Sequence, residues 1–249
     1  AGWSGGDAVV NWVGCRAEGG KNTCDAIQSE GAARVARIAA VNGIETMVHV
    51  SAIGADATGS SAYQRTKAEG EAAVLEHMPN AVILRPSIVF GPEDQFFNRF
   101  ASMTRLSPLL PVVGADTKFQ PVYVDDISKA AALALNGTAA PGVYELGGPD
   151  VNTFRELMTQ MLVVIRRRRL VVNIPFFVGA IMGATFDLLG KLSFGLIPAQ
   201  ITSDQVKNLR NDNVVSQDAK SFEDLGITPV SLEAVLPDYL WRFRPSGQY

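Results

Sequence analysis

Short apolar runs alternate with longer stretches of helical spacing through the first half of the chain. Ala8 to Gly14 reads as a strand, Thr23 to Val41 as an alanine-rich helix and Thr46 to Ser51 as the next strand, with Asn42-Gly43 a good helix stop between them. A helix carrying Tyr63 and continuing through Ala68 to Met78 comes next, then a buried-looking strand at Val82-Ile83-Leu84 and a helix from Gln95 to Arg105. Asp125 or Asp126 can cap a helix through Leu135, and Val143-Tyr144-Glu145-Leu146 is a short strand closed by Gly147-Gly148-Pro149. Thr153-Phe154-Arg155-Glu156 has the form of a capping box, so a new helix starts there. Alternation of this kind predicts an α/β protein, a parallel sheet with helices on both faces. The Gly-Gly-Pro turn is the natural boundary, dividing residues 1–149 from a smaller, mainly helical domain over 150–249.

Beyond that turn the patterning changes. Residues 1–150 hold 11 Lys and Arg against 16 Asp and Glu, whereas residues 151–249 hold 11 against 9, the basic excess lying in Arg166-Arg167-Arg168-Arg169. Leu170 to Pro198 is strongly apolar, but Asn173, Pro175, Asp187 and Lys191 interrupt it, and a span needs about 20 predominantly apolar residues. Phe177, Ile181, Ala184 and Leu188 repeat at helical spacing. A helix with that face either enters the core of the small domain or lies on a bilayer surface with the arginines drawn to anionic headgroups. On residues alone the core is favoured, because amphipathic core helices are the commoner case.

With 249 residues, 47% hydrophobic and 19% charged, the chain can bury a full core and a small second domain. A net charge of −3 argues against nucleic acid as a general partner. Cys15 and Cys24 lack the Cys-x2-Cys spacing of a zinc site and fit a reducing compartment better than a disulfide framework. His49 and His77 are too scattered to be metal ligands, and His49 falls inside a strand pattern, where packing or hydrogen bonding is the ordinary role.

Chemistry is concentrated at Tyr63 and Lys67, four residues apart and beginning twelve residues after Ser51. On a helix such positions share a face, so the ammonium lies beside the phenol, lowers its pKa from about 10 and still reaches a sugar hydroxyl. A phenol so placed can exchange a proton while a nicotinamide moves hydride. A lone Tyr-x3-Lys is a weak signal, since surface i,i+4 neighbours are ordinary. The surrounding residues strengthen it. A strand ends in Ser51, a polar loop runs from Ala55 to Ser61, and a second strand runs into Arg85-Pro86-Ser87-Ile88-Val89-Phe90-Gly91-Pro92.

Together with Pro121-Val122-Tyr123-Val124-Asp125-Asp126-Ile127, these motifs resemble the extended and atypical short-chain dehydrogenase/reductases, with Ser51, Tyr63 and Lys67 at the catalytic positions. Glu93-Asp94-Gln95-Phe96-Phe97-Asn98-Arg99-Phe100-Ala101-Ser102-Met103 and the tail Tyr239-Leu240-Trp241-Arg242-Phe243-Arg244-Pro245 are narrower. They resemble the NADPH-binding accessory subunits of respiratory complex I, especially alphaproteobacterial forms, and the likeness covers essentially the whole chain.

The resemblance implies a Rossmann-like domain followed by a small domain. Val13-Gly14 would run along the adenosine, the Pro86 to Ile88 backbone would face the carboxamide, Lys67 would hold the ribose, and Tyr63 and Ser51 would stand near the reactive ring face. It implies NADPH rather than NADH and other complex I subunits as partners. It also implies a peripheral place on an inner membrane, on the cytoplasmic face in a bacterium or the matrix face in a mitochondrion, and shifts the apolar helix toward the interface. A dinucleotide fold also needs a first strand running into a Gly-rich turn. Gly2-Trp3-Ser4-Gly5-Gly6-Asp7 precedes a strand instead of a helix, so it reads as the turn into the fourth strand, with about 60 residues of two βα units and a strand absent from this sequence. Two functions stay open: an accessory subunit with a structural NADPH and no catalysis of its own, and an active NADP-dependent dehydrogenase, reductase or epimerase on a small soluble substrate. The narrow motifs favour the first.

Overall fold

The computed structural model describes residues 6–14, 25–192 and 202–246. Cys15 and Cys24, the first two positions of the expected Thr23 helix, the Gly2 to Gly5 part of the glycine-rich turn and the end of the apolar stretch lie outside the described residues. In chain order the first units are β1 (Ala8–Asn11), α1 (Glu30–Val41, led by one π turn at Asp25–Ser29), β2 (Thr46–Val50), α2 (Ala62–His77) and β3 (Val82–Pro86). Next come β4 (Val89–Phe90), α3 (Phe97–Met103), β5 (Leu109–Val113), β6 (Lys118–Phe119), β7 (Val122–Tyr123), α4 (Val124–Leu135) and β8 (Gly142–Leu146). The remainder is β9 (Asn152–Thr153), α5 (Phe154–Val164), β10 (Leu170–Ile174), α6 (Phe176–Leu192), α7 (Ser203–Asn208) and α8 (Leu232–Leu240), which runs into a 3-10 turn at Trp241–Phe243.

The main sheet has the order β1-β2-β3-β8, parallel throughout, as the strand and helix alternation predicts. Successive residues of β2 serve opposite faces. Met47 joins Ala32, Ala36, Ala39, Val74 and Met78 of α1 and α2 and the segment after it, whereas Val48 joins Val82, Leu84 and the Ile127, Ala130 and Ala134 face of α4. The helices α1 and α2 meet closely at Gly70, where a Cβ would fall 2.2 Å from the Gln28 carbonyl oxygen, so no larger residue fits.

Several boundaries differ from the sequence pattern for local reasons. The first strand stops at Asn11 instead of Gly14, because the Asn11 side chain turns back to accept from the Val13 amide at 3.1 Å. The helix expected from Gln95 to Arg105 is Phe97–Met103, with Asp94 accepting from the Phe96 and Asn98 amides ahead of it. Neither Asp125 nor Asp126 caps α4, which starts one residue before them after Tyr123. The fully buried Asp126 instead accepts from Lys129 Nζ at 2.8 Å and from the Val230 amide at 2.7 Å, tying α4 to the chain before α8. The Thr153 and Glu156 capping box forms as the spacing predicts.

A third apolar cluster fills a second lobe, and it draws on both sides of the Gly147-Gly148-Pro149 turn. Phe90, Phe97, Leu110, Val112 and Phe119 pack with Phe154, Met158, Met161, Ile165, Leu236, Tyr239 and Phe243. The backbone makes the same crossing: β10 pairs with β5 in parallel, and β9 pairs with β6 antiparallel.

Candidate functional site

The carboxyl ends of β1, β2 and β3 open toward one place, and the loop after β2 keeps them in register. The Ser51 amide donates to Leu84 O at 2.7 Å and the Ile53 amide to Pro86 O at 3.1 Å, so pairing with β3 outlasts the strand. Ser61 then starts α2 with a capping box, its hydroxyl accepting from the Gln64 amide. This start sets Tyr63 in the first turn and Lys67 one turn on. The buried Lys67 ammonium donates to Val50 O at 3.2 Å and lies 6.0 Å from the centre of the Tyr63 ring. It also lies beside Gly14, where a Cβ would come within 3.7 Å of Nζ. Of the residues singled out from the sequence, Tyr63, Lys67 and Gly14 therefore meet at this strand-end opening; Ser51 directly follows Val50, whose carbonyl holds Lys67, and Val13 is half-exposed. Pro86 is the buried last residue of β3. Ile88 packs against the second lobe, its carbonyl accepting from the Val122 amide at 2.9 Å.

Ser51 Oγ is buried with no hydrogen-bond partner among the described residues, and so is His49 Nε2. A buried hydroxyl left so is costly unless a ligand supplies its partner, and the adjoining Val50 carbonyl holds the Lys67 ammonium near the Tyr63 ring. That is the fit a nicotinamide ribose would need. Asn11 Nδ2 lies 3.2 Å from His49 Nδ1, which assigns the imidazole proton to Nε2. Burial, reinforced by the Lys67 charge, lowers the His49 pKa to about 4, so the ring is neutral at pH 7.

Behind the opening stands a polar network that the sequence reading missed. Arg85 grips Glu71 with two hydrogen bonds, Nε to Oε1 at 2.9 Å and a second at 2.6 Å, and lies 3.5 Å from Glu145. The Glu71 hydrogen bond is the chief cause holding the Arg85 pKa above its ordinary value. Glu145 in turn accepts from the Ser216 amide at 2.8 Å. The signal was present in Tyr63, Lys67 and Glu71, which continue the four-residue spacing along α2. Nothing local marks Asn213, which accepts from Ser87 Oγ at 2.7 Å and lays the 209–216 segment across the strand ends.

The apolar helix departs from the core reading. Phe177, Ile181, Ala184 and Leu188 all face outward, Phe177 at 67% exposure, because α6 packs through its glycines. Gly179 sits on Val113, and Gly183 on the Ser203 backbone. The first residues of the apolar stretch form β10 instead of helix. Within the arginine run, Arg167 Nε donates to Phe243 O and Arg169 Nε to Thr104 O, while Arg166 and Arg168 are exposed. Among the described residues no helix is long and apolar enough to cross a membrane.

The profile of the RmlD substrate binding domain matches residues 15–169. NADH dehydrogenase (ubiquinone) 1 alpha subcomplex subunit 9, mitochondrial, of Arabidopsis thaliana is 35% identical over 247 residues, covering 97% of this chain and 61% of that protein. The NADH-ubiquinone oxidoreductase 40 kDa subunit, mitochondrial, of Neurospora crassa is 30% identical over 244 residues, covering 98% and 63%. This chain thus spans about three fifths of the length of those relatives. DesIV, the dTDP-glucose 4,6-dehydratase of Streptomyces venezuelae solved with NAD bound, superposes with a TM-score of 0.69 at 19% identity over 96% of this chain and 73% of that one, a likeness of fold.

Proposed function

Because the chain belongs to the RmlD substrate binding domain family, within the extended short-chain dehydrogenase/reductases, we propose that its strand-end opening holds the nicotinamide end of a dinucleotide, NADPH, in an accessory subunit of NADH:ubiquinone oxidoreductase. The observation that carries the site is the buried Ser51 hydroxyl, without a hydrogen-bond partner among the described residues, directly after Val50, whose carbonyl accepts from the Lys67 ammonium near the Tyr63 ring. Lys67 holds the ribose hydroxyls, Ser51 and Tyr63 border the ring, Val13 and Gly14 line the adenosine side, and Pro86 to Ile88 border the carboxamide. When bound, such a group carries hydride. Here its role is structural, stabilising the fold by mass action, by about 2.7 kcal/mol at a hundredfold excess over Kd. The choice of the phosphorylated form rests on the family resemblance alone. The place in the complex rests on the Arabidopsis and Neurospora relatives.

In this reading the protein sits peripherally on an inner membrane, cytoplasmic or matrix side, among other complex I subunits. The outward Phe177, Ile181 and Leu188 and the exposed Arg166 and Arg168 support a surface contact with anionic lipid, each arginine contributing about 1 kcal/mol near such a surface. The second reading, an active dehydrogenase or epimerase, is favoured by Tyr63 and Lys67 on one face of α2 and by the buried Ser51 hydroxyl after β2.

Tyr63→Phe separates the two. An accessory subunit keeps quinone reduction by the purified complex within about twofold, since only a phenolic proton donor is lost. The variant also still releases NADPH on denaturation, and the protein migrates with a membrane complex in native gels. A soluble particle whose turnover collapses in Tyr63→Phe would establish the enzyme instead. Lys67→Ala is expected to release the nucleotide and weaken assembly, read as loss of the subunit from the membrane complex.

A further inference from the structure

The start of α2 is held from far away in the chain. Its capping box satisfies the Gln64 amide, which leaves the first two amides of the helix in need of acceptors. Both go to one side chain: Asp204 Oδ1 accepts from Ala62 N at 2.7 Å and Oδ2 from Tyr63 N at 3.1 Å. A carboxylate at this end also complements the helix dipole. One of the two amides belongs to Tyr63 itself, one turn ahead of Lys67.

Asp204 is in turn fixed to α6. Thr202 caps α7 through the Gln205 amide, and the neighbouring Ser203 amide donates to Asp187 Oδ2 of α6 at 3.1 Å. On the same side Gly183 of α6 meets the Ser203 backbone so closely that a Cβ would stand 2.7 Å from its nitrogen. Adjacent residues of α7 thus bind α6 on one side and the first turn of α2 on the other. The far face of α6 carries the outward Phe177, Ile181 and Leu188.

We propose that Asp204 is a positioning residue of the nucleotide site, clamping the first turn of α2 to the α6 and α7 pair so that displacement of α6 is transmitted to Tyr63 and Lys67. By linkage, nucleotide in the site steadies α6, and seating α6 on another surface tightens the site. The coupling to nucleotide rests on the function proposed above; the clamp between α6 and α2 does not.

The test uses the full-length protein, with NADPH binding followed by its fluorescence and amide hydrogen exchange read at Ala62, Tyr63 and along α6. Asp204→Ala is expected to weaken NADPH about tenfold and to speed exchange at Ala62 and Tyr63, whereas Asp204→Asn, which keeps one acceptor oxygen and sets an N–H donor against the other amide, recovers only part of the affinity and protection. Gly183→Ala, remote from the nucleotide, should speed exchange at the same two amides by pushing α7 away. NADPH should slow exchange in α6 of the wild type and not of Asp204→Ala. Unchanged exchange at Ala62 and Tyr63 in both Asp204→Ala and Gly183→Ala overturns the clamp, and unchanged NADPH affinity in Asp204→Ala overturns its positioning role. If the wild type binds neither NADPH nor NADH, the nucleotide reading fails, and the exchange arms alone still decide the clamp.

Discussion

His49 ties the electrostatics of the opening to the stability of the sheet. Its folded pKa of about 4 lies below its ordinary 6.5, so below pH 6.5 the unfolded chain takes up a proton that the folded chain refuses. The stability this site permits is complete above pH 6.5 and is lost as the pH falls toward 4, up to about 3 kcal/mol in all. In urea unfolding at stepped pH, wild type is expected to lose stability more steeply than His49→Gln across that window. Equal slopes would mean that the imidazole titrates normally. Asn11 and Lys67 make this residue what it is, one by fixing the tautomer and the other by adding its charge to the cost of burial.

At the scale of elements, the two narrow motifs of the sequence prove to be one packing unit. Asp94 accepts from the Phe96 and Asn98 amides at the start of α3, and the Tyr239 phenol of α8 donates to its other oxygen at 2.5 Å. Burial, then the Asp94 charge, raises the Tyr239 pKa, so the phenol stays a donor. Arg242 adds bonds to Pro92 O and Asn98 Oδ1. Tyr239→Phe removes a buried bond to a carboxylate and is expected to cost about 2 kcal/mol in chemical denaturation, with the sheet unaffected. A cost under about 0.5 kcal/mol would show Asp94 satisfied by the amides alone. Elements set by neighbours in sequence were legible before any coordinates: the Asn42-Gly43 stop, the Thr153 and Glu156 box, the long apolar periodicities, and the Tyr63 and Lys67 face. Those set by distant partners were not. β6, β7 and β9 are two residues each, too short for any period, and exist because of the chains they meet. Asp204 looks like an ordinary first-turn acid of α7, and its acceptors' role depends on amides 141 and 142 residues earlier. The outward face of α6 was misjudged on residues alone, because periodicity locates an apolar stripe without saying which side of the helix a glycine ridge will bury.

Over the whole molecule, the sheet that supports the opening and the lobe that carries α6 are joined by more than a covalent link. Ser216 reaches Glu145, Asn213 reaches Ser87, Val230 reaches Asp126, and Asp204 reaches Tyr63. The pairing of β5 with β10 runs through all five residues of each strand, on opposite sides of the Gly147-Gly148-Pro149 turn. Severing the chain at that turn would consequently leave each piece with an orphaned strand and half an aromatic cluster. Residues 1–149 and 150–249 expressed separately should be sticky and poorly ordered, yet reconstitute a native-like near-ultraviolet circular dichroism spectrum when mixed in equal amounts. A nicked protein of this kind would hold together through its interleaved lobe much as two hands do with fingers laced.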